Sequence, residues 1–180
     1  MYLLVNVVAF KVGWASTVFG AANGLPFLGP AVVLIAIAIH LRNATYPGDE
    51  LLLVMITGVV GAFWDSVLVA AGWLSYPTGT FISGAAPYWI IGMWMLFATT
   101  LNLAFRWLRG RIAVAALLGA VFGPLSYLAG SKIGAVTINE MTPAMIALGF
   151  AWAILMPGLL WLAQNFDGFH TESKVVEVNV

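Results

Sequence analysis

Two ionisable side chains lie inside long apolar stretches of the sequence and are the residues best placed to do chemistry. Asp65 lies past the middle of the stretch 51–74, and Lys11 lies near the middle of the stretch 3–22. An ionisable group at the centre of a bilayer costs roughly 2.5–3.5 kcal/mol, so each needs a partner or a purpose. Because Lys11 has the reach to meet Asp65, the pair is either a proton-coupling or substrate-binding site or an ion pair that fixes helix register. We favour the structural role, with extension of Lys11 to the membrane surface as a further alternative.

A second polar pattern lies in the stretch 87–108. Thr99, Asn102 and Arg106 follow a spacing of i, i+3 and i+7. Residues at this spacing share one face of a helix, so the three are expected to form a polar stripe. Asn102 is the member that most needs a buried partner.

Two hydroxyl groups follow Gly123-Pro124 in the stretch 112–136. Ser126 and Tyr127 are expected at the depth of Asp65, where their hydroxyls could meet it. A serine in a membrane helix equally often bonds the carbonyl four residues before it, and that alternative stays open. The resulting candidate binding cluster consists of Asp65, Lys11, Asn102, Thr99, Ser126 and Tyr127.

Tryptophans provide a second candidate site. Four of them are predicted well inside the membrane, where each indole N–H needs an acceptor: Trp14, Trp64, Trp94 and Trp152. They could line a pocket for a flat or acyl ligand, although core packing is the preferred interpretation. Four other aromatic residues are expected to anchor the outer membrane interface: Trp73, Tyr76, Tyr88 and Trp89.

The sequence lacks the residues that several classes of catalytic site require. The chain has no cysteine and two histidines, His40 at a predicted helix end and His170 in the C-terminal tail, so Ser126 has no base to activate it. Asp49 and Glu50 are interpreted as negative charge at a helix N-terminus rather than as metal ligands. We therefore predict no catalytic residues, no metal and no cofactor. The zero net charge argues against nucleic acid as a partner.

The elements that carry these residues follow from composition. The chain is 62% apolar and 8% charged, with a mean hydropathy of +1.00, whereas soluble domains average about 25% charged residues. A membrane-spanning helix needs roughly 20 apolar residues. Six windows qualify: 3–22, 26–41, 51–74, 87–108, 112–136 and 142–163. The predicted fold is an all-α integral membrane bundle of six transmembrane helices in three short-looped hairpins, with a transmembrane domain at 1–166 and a polar cytoplasmic tail at 167–180.

Charge and small residues predict orientation and packing. If the helices alternate, one side carries Arg42, Arg106, Arg109, Arg111 and Lys174, and the other carries Lys132. This bias places both termini in the cytoplasm of a bacterial inner membrane. Small residues recur every four positions in the third helix from Gly58 and in the fifth from Ala115, and such ridges allow close packing in lipid. The third and fifth helices are therefore predicted at the centre of the bundle.

Short motifs carry a family resemblance. Thr-Thr-Leu-Asn at 99–102 and Gly-Pro-Leu-Ser-Tyr at 123–127, with Trp-Asp-Ser at 64–66, resemble a bacterial six-span inner-membrane family catalogued only as a domain of unknown function. The resemblance extends to about Ala163 and implies no activity. Members of that family are often encoded near proteins similar to cyclopropane-fatty-acid methyltransferases and flavin-dependent oxidoreductases, which implies a role in handling membrane lipids.

Three functions follow as expectations. The leading one is a non-catalytic polytopic subunit of a membrane complex in membrane-lipid modification, whose partners are the bilayer, other membrane subunits or a lipid-modifying enzyme. The second is a small proton-coupled transporter or lipid carrier that uses Asp65. The third is a membrane enzyme acting on an acyl or isoprenoid ligand with Asp65 and Tyr127 as acid and base.

Overall fold

Six α-helices account for most of residues 2–169, the part of the chain that the computed structural model describes. The helices and two short strands follow in the order α1 (Tyr2–Ala22), α2 (Leu28–Asn43), α3 (Pro47–Ala70), β1 (Leu74–Ser75), α4 (Tyr88–Leu101), α5 (Ile112–Ile133), β2 (Thr137–Ile138) and α6 (Met141–Asn165). The predicted all-α class is confirmed.

Helix length separates the six into two groups. Helices α1, α3, α5 and α6 are long and apolar enough to cross a membrane. Helices α2 and α4 are apolar but contain 16 and 14 residues. At 1.5 Å per residue they extend roughly 24 and 21 Å, less than the ~30 Å hydrocarbon core. The chain is therefore a helical membrane protein with four full-length candidate spans and two shorter apolar helices.

The helix ends gather at two opposite ends of the bundle. At one end, Glu50 at the start of α3 contacts His40 of α2, Asn102 after α4 and Gly168 after α6. We call it the basic end, because Arg106, Arg109 and Arg111 lie there. At the other, the hairpin end, β1 pairs antiparallel with β2 through Leu74 and Ile138. Successive helices therefore run in opposite directions.

Helix α4 ends earlier than the predicted boundary at residue 108. The carbonyl of Thr100 accepts from the N–H groups of Leu103 and Phe105, and a 3₁₀ turn Arg106–Leu108 follows. The guanidinium Nε of Arg106 donates to the carbonyl of Asn102 at 2.8 Å, the acceptor that a continuing helix would use for the N–H of Arg106. The predicted helical stripe of Thr99, Asn102 and Arg106 is therefore wrong, because the helix has ended before Asn102.

Helix α4 also occupies the central position in the bundle. It contacts α1, α2, α3 and α6, whereas α5 packs chiefly against α6. The prediction that α3 and α5 are central is wrong for α5. Its small-residue ridge serves α6: a side chain at Gly119 or Gly123 would overlap Trp152. On α3, Gly61 makes the corresponding space for Trp94 of α4.

Candidate functional site

Asp65 is fully buried and accepts hydrogen bonds from three uncharged donors. Tyr76 Oη donates to Oδ1 at 2.6 Å, and Trp94 Nε1 donates to Oδ2 at 2.7 Å. Tyr127 Oη lies 2.9 Å from Oδ1 and 3.0 Å from Oδ2. A buried carboxylate must be compensated by hydrogen bonds or charge, and here hydrogen bonds provide the compensation. Asp65 is thus held by residues from α4, α5 and the loop after β1.

Local packing places each donor. Gly61 lies one turn before Asp65 on α3 and leaves room for the Trp94 ring. Trp94 stacks on Trp152 of α6 with ring centroids 4.7 Å apart and planes 11° apart. The space for Trp152 comes in turn from Gly123 on α5. Two helical glycines therefore set the positions of both indole rings beside the carboxylate.

Tyr76 has a role that its position in the sequence does not predict. The sequence predicts an anchor at the outer interface, whereas the side chain turns inward to Asp65 and packs edge-on against Trp89, with ring centroids 5.4 Å apart. Burial, and then the negative charge of Asp65, raise the pKa of the Tyr76 phenol well above its usual range. The phenol therefore keeps its proton and acts as a donor. Little in the sequence indicates this inward role, because an aromatic residue near a helix end is usual at a membrane surface.

Lys11 does not pair with Asp65. Within residues 2–169 the structure shows no ion pair to Lys11, whose side chain is exposed. Helix α1 packs on α2 and α4, and α4 in turn packs on α3, so α4 lies between the two residues. The predicted ion pair between α1 and α3 does not form, and three neutral donors bind Asp65 instead.

The remaining members of the predicted cluster lie in different places. Ser126 Oγ donates to the carbonyl of Gly123 at 2.7 Å, so its bond is local and not to Asp65. Thr99 Oγ1 donates to the carbonyl of Leu96 and accepts from Asn6 Nδ2, at the contact between α4 and α1. Tyr127 is the predicted residue that joins Asp65.

Asn102 belongs to a second buried cluster at the basic end, centred on Glu50. Glu50 is fully buried, and its Oε1 accepts from Asn102 Nδ2 at 2.6 Å and from the N–H of Gly168 at 2.9 Å. His40 Nε2 lies 2.8 Å from Oε2. Glu50 lies in the first turn of α3, as predicted, but it is buried and bonded to neighbouring helices. His40 and Glu50 flank the short turn between α2 and α3, so the sequence alone could have predicted that they lie close together.

Arginines extend this cluster toward the end of α6. Arg106 Nη2 and Arg109 Nη1 each lie 2.7 Å from a carboxylate oxygen of Asp167, and Arg109 also donates to Asn102 Oδ1. Asp167 is buried, although it was assigned to the polar tail. Residues 167–169 therefore pack onto the bundle; residues 170–180, with His170 and Lys174, lie outside the described residues.

A large apolar cleft lies between α1, α4, α5 and α6. Its volume is about 1020 Å³, at the upper end of the range for ligand sites. Its walls are mostly aromatic and aliphatic and include Phe10, Trp14, Phe97, Phe122, Trp94 and Trp152. Phe122 is 62% exposed, which shows that the cleft is open on the α5 side. Trp64, the fourth predicted pocket tryptophan, packs in the core instead.

The cleft is closed at the hairpin end and adjoins Asp65. Val18 and Ala21 of α1 pack with Trp89 and Ala135 there, which brings α1 against the segment after α5. All three donors to Asp65 line the cleft, but Asp65 itself does not. The carboxylate thus lies directly behind the wall, separated from the cleft by the groups that bind it.

The chemistry open to this arrangement is limited. Within residues 2–169, no three His, Asp or Glu side chains converge as metal ligands would. The Ser126 hydroxyl donates to the carbonyl of Gly123, and within residues 2–169 it bonds to no histidine or carboxylate. The arrangement suits binding of an apolar ligand, and Asp65 is bonded to two phenols of the wall, those of Tyr76 and Tyr127.

The class is thus an all-helical protein with four helices long and apolar enough to cross a membrane and an aromatic cleft between its helices. The chain belongs to a family described as "Protein of unknown function (DUF2878)", whose model matches residues 3–158. This confirms the resemblance to a domain of unknown function. No curated protein and no solved structure shows significant similarity to the chain.

Proposed function

We propose that this protein is a non-catalytic, multi-pass membrane protein that holds the hydrocarbon chain of a lipid in its cleft. The observation that carries the proposal is the cleft of about 1020 Å³, which is walled by aromatic rings and open to the side among helices long enough to cross a membrane. Such a cavity inside a bilayer is surrounded by lipid, which is therefore its most accessible occupant.

Shape rather than hydrophobicity must drive this binding. Lipid tails are as apolar as the cleft, so little is gained by transferring a chain from the bilayer. Affinity then depends on close contact, which rigid aromatic faces provide over a large area. Trp14 of α1, Phe97 of α4 and Phe122 of α5 face the cleft from different sides. An acyl or isoprenoid chain fits this surface.

The proposed setting is a bacterial inner membrane, with six spans and both termini in the cytoplasm. Support comes from the basic end, which carries Arg42, Arg106, Arg109 and Arg111, against Lys132 at the hairpin end. In this setting the protein would present its bound lipid to other membrane subunits or to a lipid-modifying enzyme.

Filling the cleft tests the proposal. Ala15 lines the cleft on α1, whereas Ala38 is exposed on α2 and lies outside it. We expect Ala15→Trp to abolish cross-linking of a phospholipid carrying a diazirine in its acyl chain, and Ala38→Trp to leave it unchanged. Peptide mapping should place the wild-type cross-links on residues of the cleft wall.

Three results would overturn this function. Cross-links spread evenly over all lipid-facing helices would mean that no chain is held. Exclusion of the lipid by a second copy of the chain seated on the cleft would assign the surface to an interface. Turnover of a lipid by the purified protein alone would favour the enzyme alternative, in which Asp65 and Tyr127, joined at 2.9 Å, act as acid and base.

The position of Asp65 supports a second candidate, a proton-coupled lipid carrier. Its carboxylate is buried immediately behind the cleft wall and bonded to Trp94 and Tyr127, which line that wall. This candidate requires Asp65→Asn to abolish movement of a fluorescent fatty acid driven by a pH gradient in proteoliposomes, with Tm unchanged. Loss of Tm instead would show that Asp65 supports the fold.

A further inference from the structure

Lys11 is a charged side chain in the wall of an otherwise apolar cleft. It is exposed, it lines the cleft beside Phe10 and Trp14, and no residue within 2–169 forms an ion pair with it. An ammonium group within a membrane helix is costly unless it reaches the interface or meets an anion. The structure places this ammonium where a bound lipid would lie.

The position of Lys11 along α1 suits a lipid headgroup. It follows Tyr2 by nine residues, which at 1.5 Å per residue is roughly 13 Å from the start of the helix. Helical side chains point toward the N-terminus, so the ammonium is directed back toward the basic end. A lipid that enters with its head at this end would bring its charged group to Lys11 and its chain toward the closed hairpin end.

Within residues 2–169, no carboxylate competes for Lys11 inside the cleft. The lining residues include no Asp or Glu, and the oxygens of Asp65 are occupied by Tyr76, Trp94 and Tyr127 behind the wall. The unpaired ammonium in an otherwise apolar wall therefore favours a negatively charged ligand.

We propose that the cleft selects an anionic lipid, whose carboxylate or phosphate contacts the Lys11 ammonium while its chain lies among the aromatic residues. This inference rests on the proposed lipid-binding function and names its ligand class. A fatty acid and an acidic phospholipid both carry the required charge.

Quenching of tryptophan fluorescence by brominated lipids provides the test, because Trp14, Trp94 and Trp152 line the cleft. The probes are dibromostearic acid and its methyl ester, and brominated phosphatidylglycerol and phosphatidylcholine, each added to the full chain in detergent. Hydrogen bonds to charged groups predict that wild type prefers the charged member of a pair by about tenfold or more. Lys11→Met should remove that preference and leave ester binding unchanged, whereas Lys11→Arg should retain it.

A matched control variant and two distinct negative results separate the role of Lys11 from the proposed lipid binding. Lys132→Met removes a lysine that is exposed at the hairpin end and does not line the cleft, so it should bind as wild type does. If Lys11→Met keeps the charge preference, the role of Lys11 is wrong while chain binding stands. If wild type binds neither acid nor ester, the proposed function itself fails. The charged probe that binds more tightly shows whether the anionic group is the carboxylate of a fatty acid or the phosphate of a phospholipid.

Discussion

At the scale of single residues, the buried carboxylates are stabilised by complete sets of donors. Asp65 receives three side-chain donors, and Glu50 receives two side chains and one backbone N–H. An unsatisfied charge in a membrane interior would cost several kcal/mol, so loss of any one donor is expected to destabilise the fold. Removal of the Tyr76 donor changes little else, because tyrosine and phenylalanine differ by one hydroxyl.

We predict that Tyr76→Phe destabilises the fold by about 1–3 kcal/mol, since Asp65 loses a donor that water cannot easily replace. The expected readout is a lower Tm in detergent. Tyr88→Phe is the matched control, because the buried Tyr88 hydroxyl has no hydrogen-bond partner among residues 2–169. An equal loss of Tm in both variants would mean that the bond to Asp65 contributes little.

At the scale of elements, glycines determine which helices approach most closely. Gly61 lets Trp94 of α4 pack against α3, and Gly119 and Gly123 let Trp152 of α6 pack against α5. The two indoles then stack on each other and join the halves of the bundle. The contacts of Glu50 join α2, α3, α4 and the end of α6 at the basic end in a similar way.

Gly61→Ala is expected to destabilise the bundle by about 1–3 kcal/mol, because the added methyl overlaps the Trp94 ring and forces it to move. The shift should appear as a lower Tm together with a changed near-UV circular dichroism spectrum of the stacked tryptophans. Gly158→Ala provides the comparison within α6, where an added Cβ meets nothing within 4 Å. A harmless Gly61→Ala would show that the Trp94 position is not constrained by α3.

At the scale of the whole molecule, the chain forms a group of four helices, α1–α4, and a hairpin, α5–α6, with the cleft between them. The two shorter helices α2 and α4 lie within the first group and make many of their contacts with other helices rather than with lipid. Helices packed in this way can be shorter than a full span, because neighbouring protein covers their ends.

Because the chain has no cysteine, single cysteines report its topology directly. If the proposed six spans hold, Asn23→Cys and Ser83→Cys at the hairpin end should react with an impermeant maleimide in intact cells. Thr45→Cys at the basic end should react only after permeabilisation. All three positions are exposed. Labelling of Asn23 and Thr45 from the same side would show that α2 does not cross the membrane.

The sequence by itself determined the class of fold, the membrane character, the family and the need of Asp65 for buried partners. It also placed Tyr127 at the right depth, because helical spacing converts sequence position into depth. Spacing states which face a residue occupies, but it does not state which helix lies opposite that face.

Only the tertiary structure decided the partners and the site. Tyr76 rather than Lys11 meets Asp65, because α4 lies between α1 and α3, and Lys11 is thereby left in the cleft wall. Helix α4 ends at Leu101, after which the carbonyl of Thr100 accepts from Phe105 and the carbonyl of Asn102 accepts from the Arg106 side chain. Glycines on α5 allow it to pack closely on α6, α5 contacts α1 little, and the cleft lies between them, an arrangement that depends on several helices at once.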